Sequence, residues 1–323
     1  MASMELVSLA DVWSAAAVLR GVAVHTPLVP CPWADGADGS RLWVKPESLQ
    51  PVGAFKLRGA YYAMAQIPPD VRSRGVVTHS SGNHGRAVAY AARAFDVPAV
   101  VVMPKVSPPV KIAAVEALGA EAVLVHPDER ASVTADISQR RGMSIVPPFD
   151  DARVIAGQGT IGLEIVSDAP DVEVVLVPVG GGGLASGVAT AVKELNPAVR
   201  VYGVEPEYAA DAKQSLAEGR RVTWPSELTY RTVADGVRTG LSDLTFEHMR
   251  QRLDGIVTVT DEQIEFMVGR LAREANLVVE PSGALAPAAY VFAHDELPVG
   301  RTVAVISGGN LDPAYLASLI AAE

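Results

Sequence analysis

The 323-residue chain contains a single cysteine, Cys31, so neither an internal disulfide nor a cysteine-built metal cluster is available, and a reducing cytoplasmic setting fits. Lysine is scarce too, at six residues, aromatics make up 6%, and the net charge is -10 with no basic stripe. A chain with nothing to neutralise a phosphate backbone is not expected to bind nucleic acid. The start, Met1-Ala2-Ser3-Met4-Glu5, lacks the basic residues and apolar core of an export signal. The uncharged run from Val174 to Val192 is long enough to cross a bilayer, but Pro178, four consecutive glycines and Gly187 interrupt it. It reads as a buried strand, a loop and a helix, and no membrane partner is expected.

What is present is ordinary globular material, 49% hydrophobic and 20% charged, long enough for about two domains at roughly 150 residues each. Ser8 followed by Asp11 predicts a helix start, with Val12, Ala15, Ala16 and Leu19 on one face and Gly21 as the stop. A proline-rich loop follows around Cys31 to Gly39. From Gly75 onward the pattern alternates: strand Val76-Val77, helix Arg86 to Phe95, strand Ala99 to Met103, helix Pro108 to Leu118, strand Ala122 to Val125, helix Ala131 to Arg140, strand Met143 to Val146. A second series runs through strand Val174 to Val179, helix Leu184 to Leu195 and strand Val199 to Val204. Thr260 with Gln263 predicts another capping box, and Thr302 to Ile306 a late strand. Such alternation implies parallel βαβ units. Pro147-Pro148-Phe149-Asp150-Asp151 separates the series as a hinge, so the expected fold is α/β: two open, parallel-sheet-rich lobes with a cleft between them.

Four segments could carry chemistry. Lys56 lies between Phe55 and Leu57, and a lysine desolvated by apolar neighbours becomes both a nucleophile and a base. Gly180 to Gly183 join a strand to a helix, so their N-H groups and the helix N-terminus could cradle a phosphate. The same loop also satisfies a dinucleotide fingerprint, with Gly180, Gly182 and Ala185 in spacing and Glu205 after the next strand, which keeps an NAD-dependent dehydrogenase open. His79-Ser80-Ser81-Gly82-Asn83-His84-Gly85 forms a second strand-to-helix turn, able to hold a carboxylate among hydroxyl, amide and imidazole groups. Ser307-Gly308-Gly309-Asn310 follows the last strand, at the sheet edge where ligands of open α/β sheets bind. A Ser-His-Asp hydrolase is disfavoured, because no serine sits in a GxSxG elbow.

In these motifs, GAFKLRGA, HSSGNHG, GGGGL and SGGN, the chain resembles pyridoxal-phosphate enzymes of the tryptophan synthase β-subunit fold type, in the serine/threonine dehydratase and serine racemase branch. The motifs come in the family's order from residue 53 to residue 310. The resemblance implies a large cofactor-binding domain of residues 1-64 and 152-323, a small mobile domain of residues 65-151, the cofactor in the cleft, and a homodimer. It implies that Lys56 carries pyridoxal 5'-phosphate, with Phe55 beside the ring and Asn83 on its 3-hydroxyl. Gly180, Gly181, Gly182, Gly183 and Leu184 would hold the phosphate, and Ser307 would face the ring nitrogen. Lys56 would remove the α-proton of an amino-acid substrate, and Ser81 resembles the serine acting from the opposite face in racemases. Ser80, Ser81, Asn83, His84 and Arg130 would contact the substrate, with His79 alongside. Glu205, Ala209 and Asp211 have the spacing of the branch's divalent-cation site, with hard oxygens suited to magnesium, calcium or manganese.

Three positions depart from the family pattern: Ala54 for a serine, Arg86 for a glutamine, and Phe149 where the mammalian racemase type has a polar residue. The last favours a dehydratase over a dedicated racemase. The chain also ends soon after SGGN, so no C-terminal regulatory domain is expected. The expected activity is ammonia-lyase β-elimination on L-serine, L-threonine or a related β-hydroxy amino acid. Serine racemase and 3-hydroxyaspartate dehydratase are the alternatives within the fold, and a catalytically silent amino-acid-binding protein is a further one.

Overall fold

The structure is a computed structural model that describes residues 5–80, 82–107 and 109–322. Its strands are β1 (Val29–Pro30), β2 (Arg41–Pro46), β3 (Val76–His79), β4 (Ala99–Pro104), β5 (Glu121–Val125), β6 (Ser144–Ile145), β7 (Val174–Pro178), β8 (Arg200–Pro206), β9 (Gly255–Val259) and β10 (Arg301–Ile306). They form two sheets, one of six strands in the order β1-β2-β10-β7-β8-β9 and one of four in the order β5-β4-β3-β6. Every pairing is parallel except that of β1 with β2. The expectation of parallel, sheet-rich α/β architecture is borne out.

Both sheets are covered on both faces, as parallel sheets must be. Alternation along the strands sorts the side chains. Val174 and Leu176 of β7 point to one face, with Ala304 and Ile306 of β10, and pack under the helices Asp261–Glu274 and Pro281–Phe292. Val175, Val177, Val303 and Val305 point to the other face. In the smaller sheet Val76, Val101 and Met103 share a core with Leu57, Ala60 and Met64, while Val77, Val100 and Val102 meet Ile137 behind them.

The helices that matter for the site are, in order, α1 (Leu9–Leu19), α2 (Lys56–Ala65), α3 (Pro69–Arg72), α4 (Asn83–Ala94), α5 (Pro109–Glu116), α6 (Arg130–Arg141), α7 (Ala152–Asp168), α8 (Gly183–Leu195) and α9 (Asp211–Glu218). The Ser8–Asp11 and Thr260–Gln263 capping boxes form as expected. Several boundaries shift by one or two residues, and the largest shift is at the start of α4. Helix α4 begins at Asn83, not Arg86, so Asn83, His84 and Gly85 lie in its first turn, held there by side-chain bonds from Asn83 to Glu280 and from His84 to the Val146 carbonyl.

Helix α2, which starts at Lys56, is packed on the smaller sheet and clamped from behind by α7. A Cβ on Gly157 would stand 2.6 Å from the Gly59 Cα and 2.7 Å from the Arg58 carbonyl oxygen. A Cβ on Gly187 of α8 would stand 2.3 Å from the Ile155 carbonyl oxygen of α7. The three helices therefore touch backbone to backbone, which fixes their spacing below what any side chain allows. Gly157→Ala must push α7 away from α2, and should lower stability by about 1–3 kcal/mol in urea unfolding. An unchanged midpoint would contradict this packing.

Candidate active site

The motif segments meet at the carboxyl ends of the strands. Phe55 N-H donates to the Ser307 carbonyl at 3.0 Å, Gly309 N-H donates to the Gly53 carbonyl at 2.9 Å, and Ala54 bridges Gly308. The lysine segment is thereby zipped along the SGGN segment. Ser307 is buried, and its hydroxyl donates to the Ser282 carbonyl at 3.2 Å.

Lys56 occupies the first position of α2, after an N-cap residue, Phe55, whose side chain makes no cap bond. Its Nζ donates to the Pro148 carbonyl at 2.7 Å and lies 5.0 Å from the centre of the Phe55 ring. Among the described residues no carboxylate pairs with it, and desolvation pushes its pKa down from 10.5 to about 8. The neutral, nucleophilic amine is then accessible near physiological pH.

Residues 146–149 connect this amine to the other motifs. His84 is buried, with Nε2 3.0 Å from the Val146 carbonyl. A carbonyl only accepts, so Nε2 carries the proton and Nδ1, buried without a partner, is the bare acceptor. Burial and the nearby Lys56 push the His84 pKa down to about 3, so the ring is neutral. Phe149 covers the tetraglycine loop: a Cβ on Gly181 would stand 2.4 Å from its ring. Gly182, in the left-handed region at φ +84°, opens α8 with no side-chain cap, which leaves first-turn amides for an anion. Leu184 is buried behind them.

At the start of α4, Ser80 Oγ accepts from the Gly82 N-H at 3.2 Å. Asn83 Nδ2 donates to Glu280 Oε1 at 2.6 Å, and Asn83 Oδ1 accepts from Asn310 Nδ2 at 2.8 Å. Burial, with Asp235 nearby, raises the Glu280 pKa to about 8. Glu280 is absent from the sequence reading, although Glu280-Pro281 carries a helix-start signal in its proline. Arg130 opens α6 and turns its Nε to the Pro127 carbonyl at 2.9 Å, while remaining near enough to His79 to help burial lower that imidazole's pKa. Ser81 lies outside the described residues.

The proposed cation ligands lie one strand away, Glu205 near the end of β8 and Ala209 and Asp211 just after it. Glu205 and Asp211 are buried, as is Ala209. Glu205 accepts from the Ala212 and Lys213 N-H groups at 3.0 and 2.8 Å, and its pKa is pushed well up by burial and by Asp211. Both of its oxygens are engaged by α9 instead of standing free for a ribose hydroxyl, which counts against the dinucleotide reading of the glycine loop. Asp211 Oδ2 is buried without a partner. Among the described residues no three His, Cys, Asp or Glu side chains cluster as a metal site.

A desolvated amine beside an uncapped, glycine-lined helix start defines a site for an anionic carbonyl compound, since the amine can attack the carbonyl while the amides neutralise the anion. The chain belongs to the pyridoxal-phosphate dependent enzyme family, whose model matches residues 20–308. It is 42% identical to the L-threonine ammonia-lyase of Thermotoga maritima over 95% of this chain and 76% of that one. It is 36% identical to the L-threo-3-hydroxyaspartate ammonia-lyase of Saccharomyces cerevisiae over 97% and 96%. Maize serine racemase superposes with a TM-score of 0.93 at 33% identity, covering 97% of each chain. The residues present fit the cofactor, with an amine for its aldehyde and a glycine cradle for its phosphate.

Because the amine must be neutral to attack, loading of pyridoxal phosphate onto the cofactor-stripped protein should speed up as pH rises through about 8. A midpoint near the ordinary lysine value of 10.5 would contradict the desolvated amine.

Proposed function

We propose that the protein is an ammonia-lyase that dehydrates and deaminates L-serine, L-threonine or a related β-hydroxy amino acid, yielding a 2-oxo acid and ammonia. The observation that carries the reading is the desolvated Lys56 amine, bonded to the Pro148 carbonyl while the next residue, Phe149, packs on Gly181 of the tetraglycine helix start. When bound, pyridoxal phosphate supplies an aldehyde for attachment and a ring that delocalises the charge left at the substrate α-carbon. Lys56 would hold the cofactor by its aldehyde, and its free amine, neutral near physiological pH, would remove the substrate α-proton as a base. Gly180 to Gly183 and Leu184 hold the phosphate, and Phe55 lines the ring. A hydroxyl at Ser307 cannot keep the ring nitrogen protonated as a carboxylate would, which suits elimination over chemistry that needs a deeper electron sink.

Ser80, Ser81, Asn83 and the backbone N-H of His84 hold the substrate carboxylate at the start of α4, where first-turn N-H groups and the helix dipole favour an anion. The neutral His84 adds no competing charge. Arg130, electrostatically coupled to His79, is a second cationic contact for substrates with a β-carboxylate, a reading that the hydroxyaspartate relative supports. The likeness to maize serine racemase supports a side activity in which Ser81 handles a proton on the opposite face. A divalent cation held by Glu205, Asp211 and the Ala209 carbonyl is supported by the two adjacent buried carboxylates and the unpartnered Asp211 Oδ2. The division into residues 1–64 with 152–323 and a small mobile domain of 65–151 is supported by the way the ten strands split between the two sheets.

One assay of 2-oxo acid release on serine, threonine and 3-hydroxyaspartate tests these roles together. Lys56→Ala should abolish turnover on all three, a loss of at least about 100-fold. Arg130→Ala should cost the dicarboxylic substrate most, and a chelator should slow the wild type. No 2-oxo acid from any of the three would overturn the assignment.

A further inference from the structure

Arg86, the residue that departs from the family's glutamine, lies one helical turn after Asn83 in α4, so the two side chains share a face. Between them sits Asn310. Arg86 Nη1 donates to Asn310 Oδ1, and Asn310 Nδ2 donates to the Val52 carbonyl at 2.9 Å and to Asn83 Oδ1 at 2.8 Å. Asn83 Nδ2 then donates to Glu280 Oε1 at 2.6 Å.

The two ends of an amide are alike in shape, so its orientation is set by its partners. A guanidinium can only donate and a peptide carbonyl can only accept. Asn310 is therefore pinned at both ends, oxygen toward Arg86 and nitrogen toward Val52. The amide it meets next, Asn83, must present its oxygen to Asn310, which leaves its NH2 group on the other side. A glutamine at position 86 could offer either an oxygen or an N-H and would leave the Val52 carbonyl as the one irreversible partner holding Asn310 in this orientation. Glu280 cannot make the choice alone. With its pKa raised to about 8, it exists in both forms near neutrality, and the protonated form could donate to an amide oxygen.

We propose that Arg86 is a positioning residue: through Asn310 it fixes the orientation of the Asn83 amide, so that Asn83 turns an N-H toward the phenolic oxygen of the cofactor. This rests on the reading that Asn83 contacts that oxygen. The hydrogen bond of Arg86 goes to Asn310, and its Nε is buried without a partner. Its contribution is a donor that cannot reverse.

The test is the pH titration of the bound cofactor's absorbance in the holoenzyme, for wild type, Asn83→Ala, Arg86→Met and Arg86→Lys. Arg86→Met should move the midpoint in the same direction as Asn83→Ala, by about one unit, the size of one hydrogen bond's influence on a titration. Arg86→Lys, which retains a donor-only group, should keep the wild-type midpoint. A wild-type midpoint in Arg86→Met beside a shifted Asn83→Ala overturns the proposal, as does an equal shift in both Arg86 variants. If Arg86→Met does not fold, Asn310→Ala reads the same relay: a shifted midpoint supports it and a wild-type one overturns it. An unshifted Asn83→Ala removes the reading of Asn83 itself, and the proposal with it.

Discussion

Close backbone contact between α2, α7 and α8 is the constraint on which the site depends. Gly157 lies against Gly59 and the Arg58 carbonyl, and Gly187 against the Ile155 carbonyl, so the helix that begins at Lys56 has no room to shift. Gln158 adds a directional bond by accepting the Gly59 N-H at 3.1 Å, one of the first-turn donors that α2 cannot satisfy internally. Arg58 is buried and paired with Glu47 and Glu164, and Glu164 also pairs with the buried Lys45 at 2.7 Å. A buried pair of this kind adds little net stability over an apolar replacement, but breaking it costs about 3–5 kcal/mol. Its effect here is to tie α2 to α7 and to β2 in one register. The lysine gains no counterion from this network, and that is why its amine responds to burial alone.

Electrostatics within the cleft follow from the same arrangement. Carboxylates are kept at the rear of α2 and at the end of β8, while the groups found near Lys56 are neutral: the His84 imidazole, the Phe55 ring and the Pro148 carbonyl. A carboxylate placed next to Lys56 would hold the amine charged and stop it from acting as base or nucleophile. Glu280, the acid bonded to Asn83, has a raised pKa, so it adds less negative charge there than an ordinary glutamate would.

Much of this was legible in the sequence, because the residues that carry chemistry interrupt the strand-helix rhythm with glycines and polar side chains at the strand ends. The alternation from Gly75 to Val204 appears as strands and helices in nearly the expected places. Two supporting elements were not legible. β2 reads Arg41-Leu-Trp-Val-Lys-Pro, and its buried Lys45 disguises a central strand, since the paired acids come from residues 164 and 168. α7 contains Gly157, Gly159 and Gly162, which weaken a local helix signal, and only the neighbouring helices show why side chains are excluded there. The roles of Glu280 and Asn310 were hidden for the same reason: each becomes visible only once distant segments are brought together.

The account rests on Lys56 as the point of covalent attachment. Purified holoenzyme, treated with borohydride and digested, should lose its yellow absorbance and carry the cofactor's mass on the peptide containing Lys56. A protein that stays colourless with added pyridoxal phosphate, or whose label falls on another lysine, would contradict it.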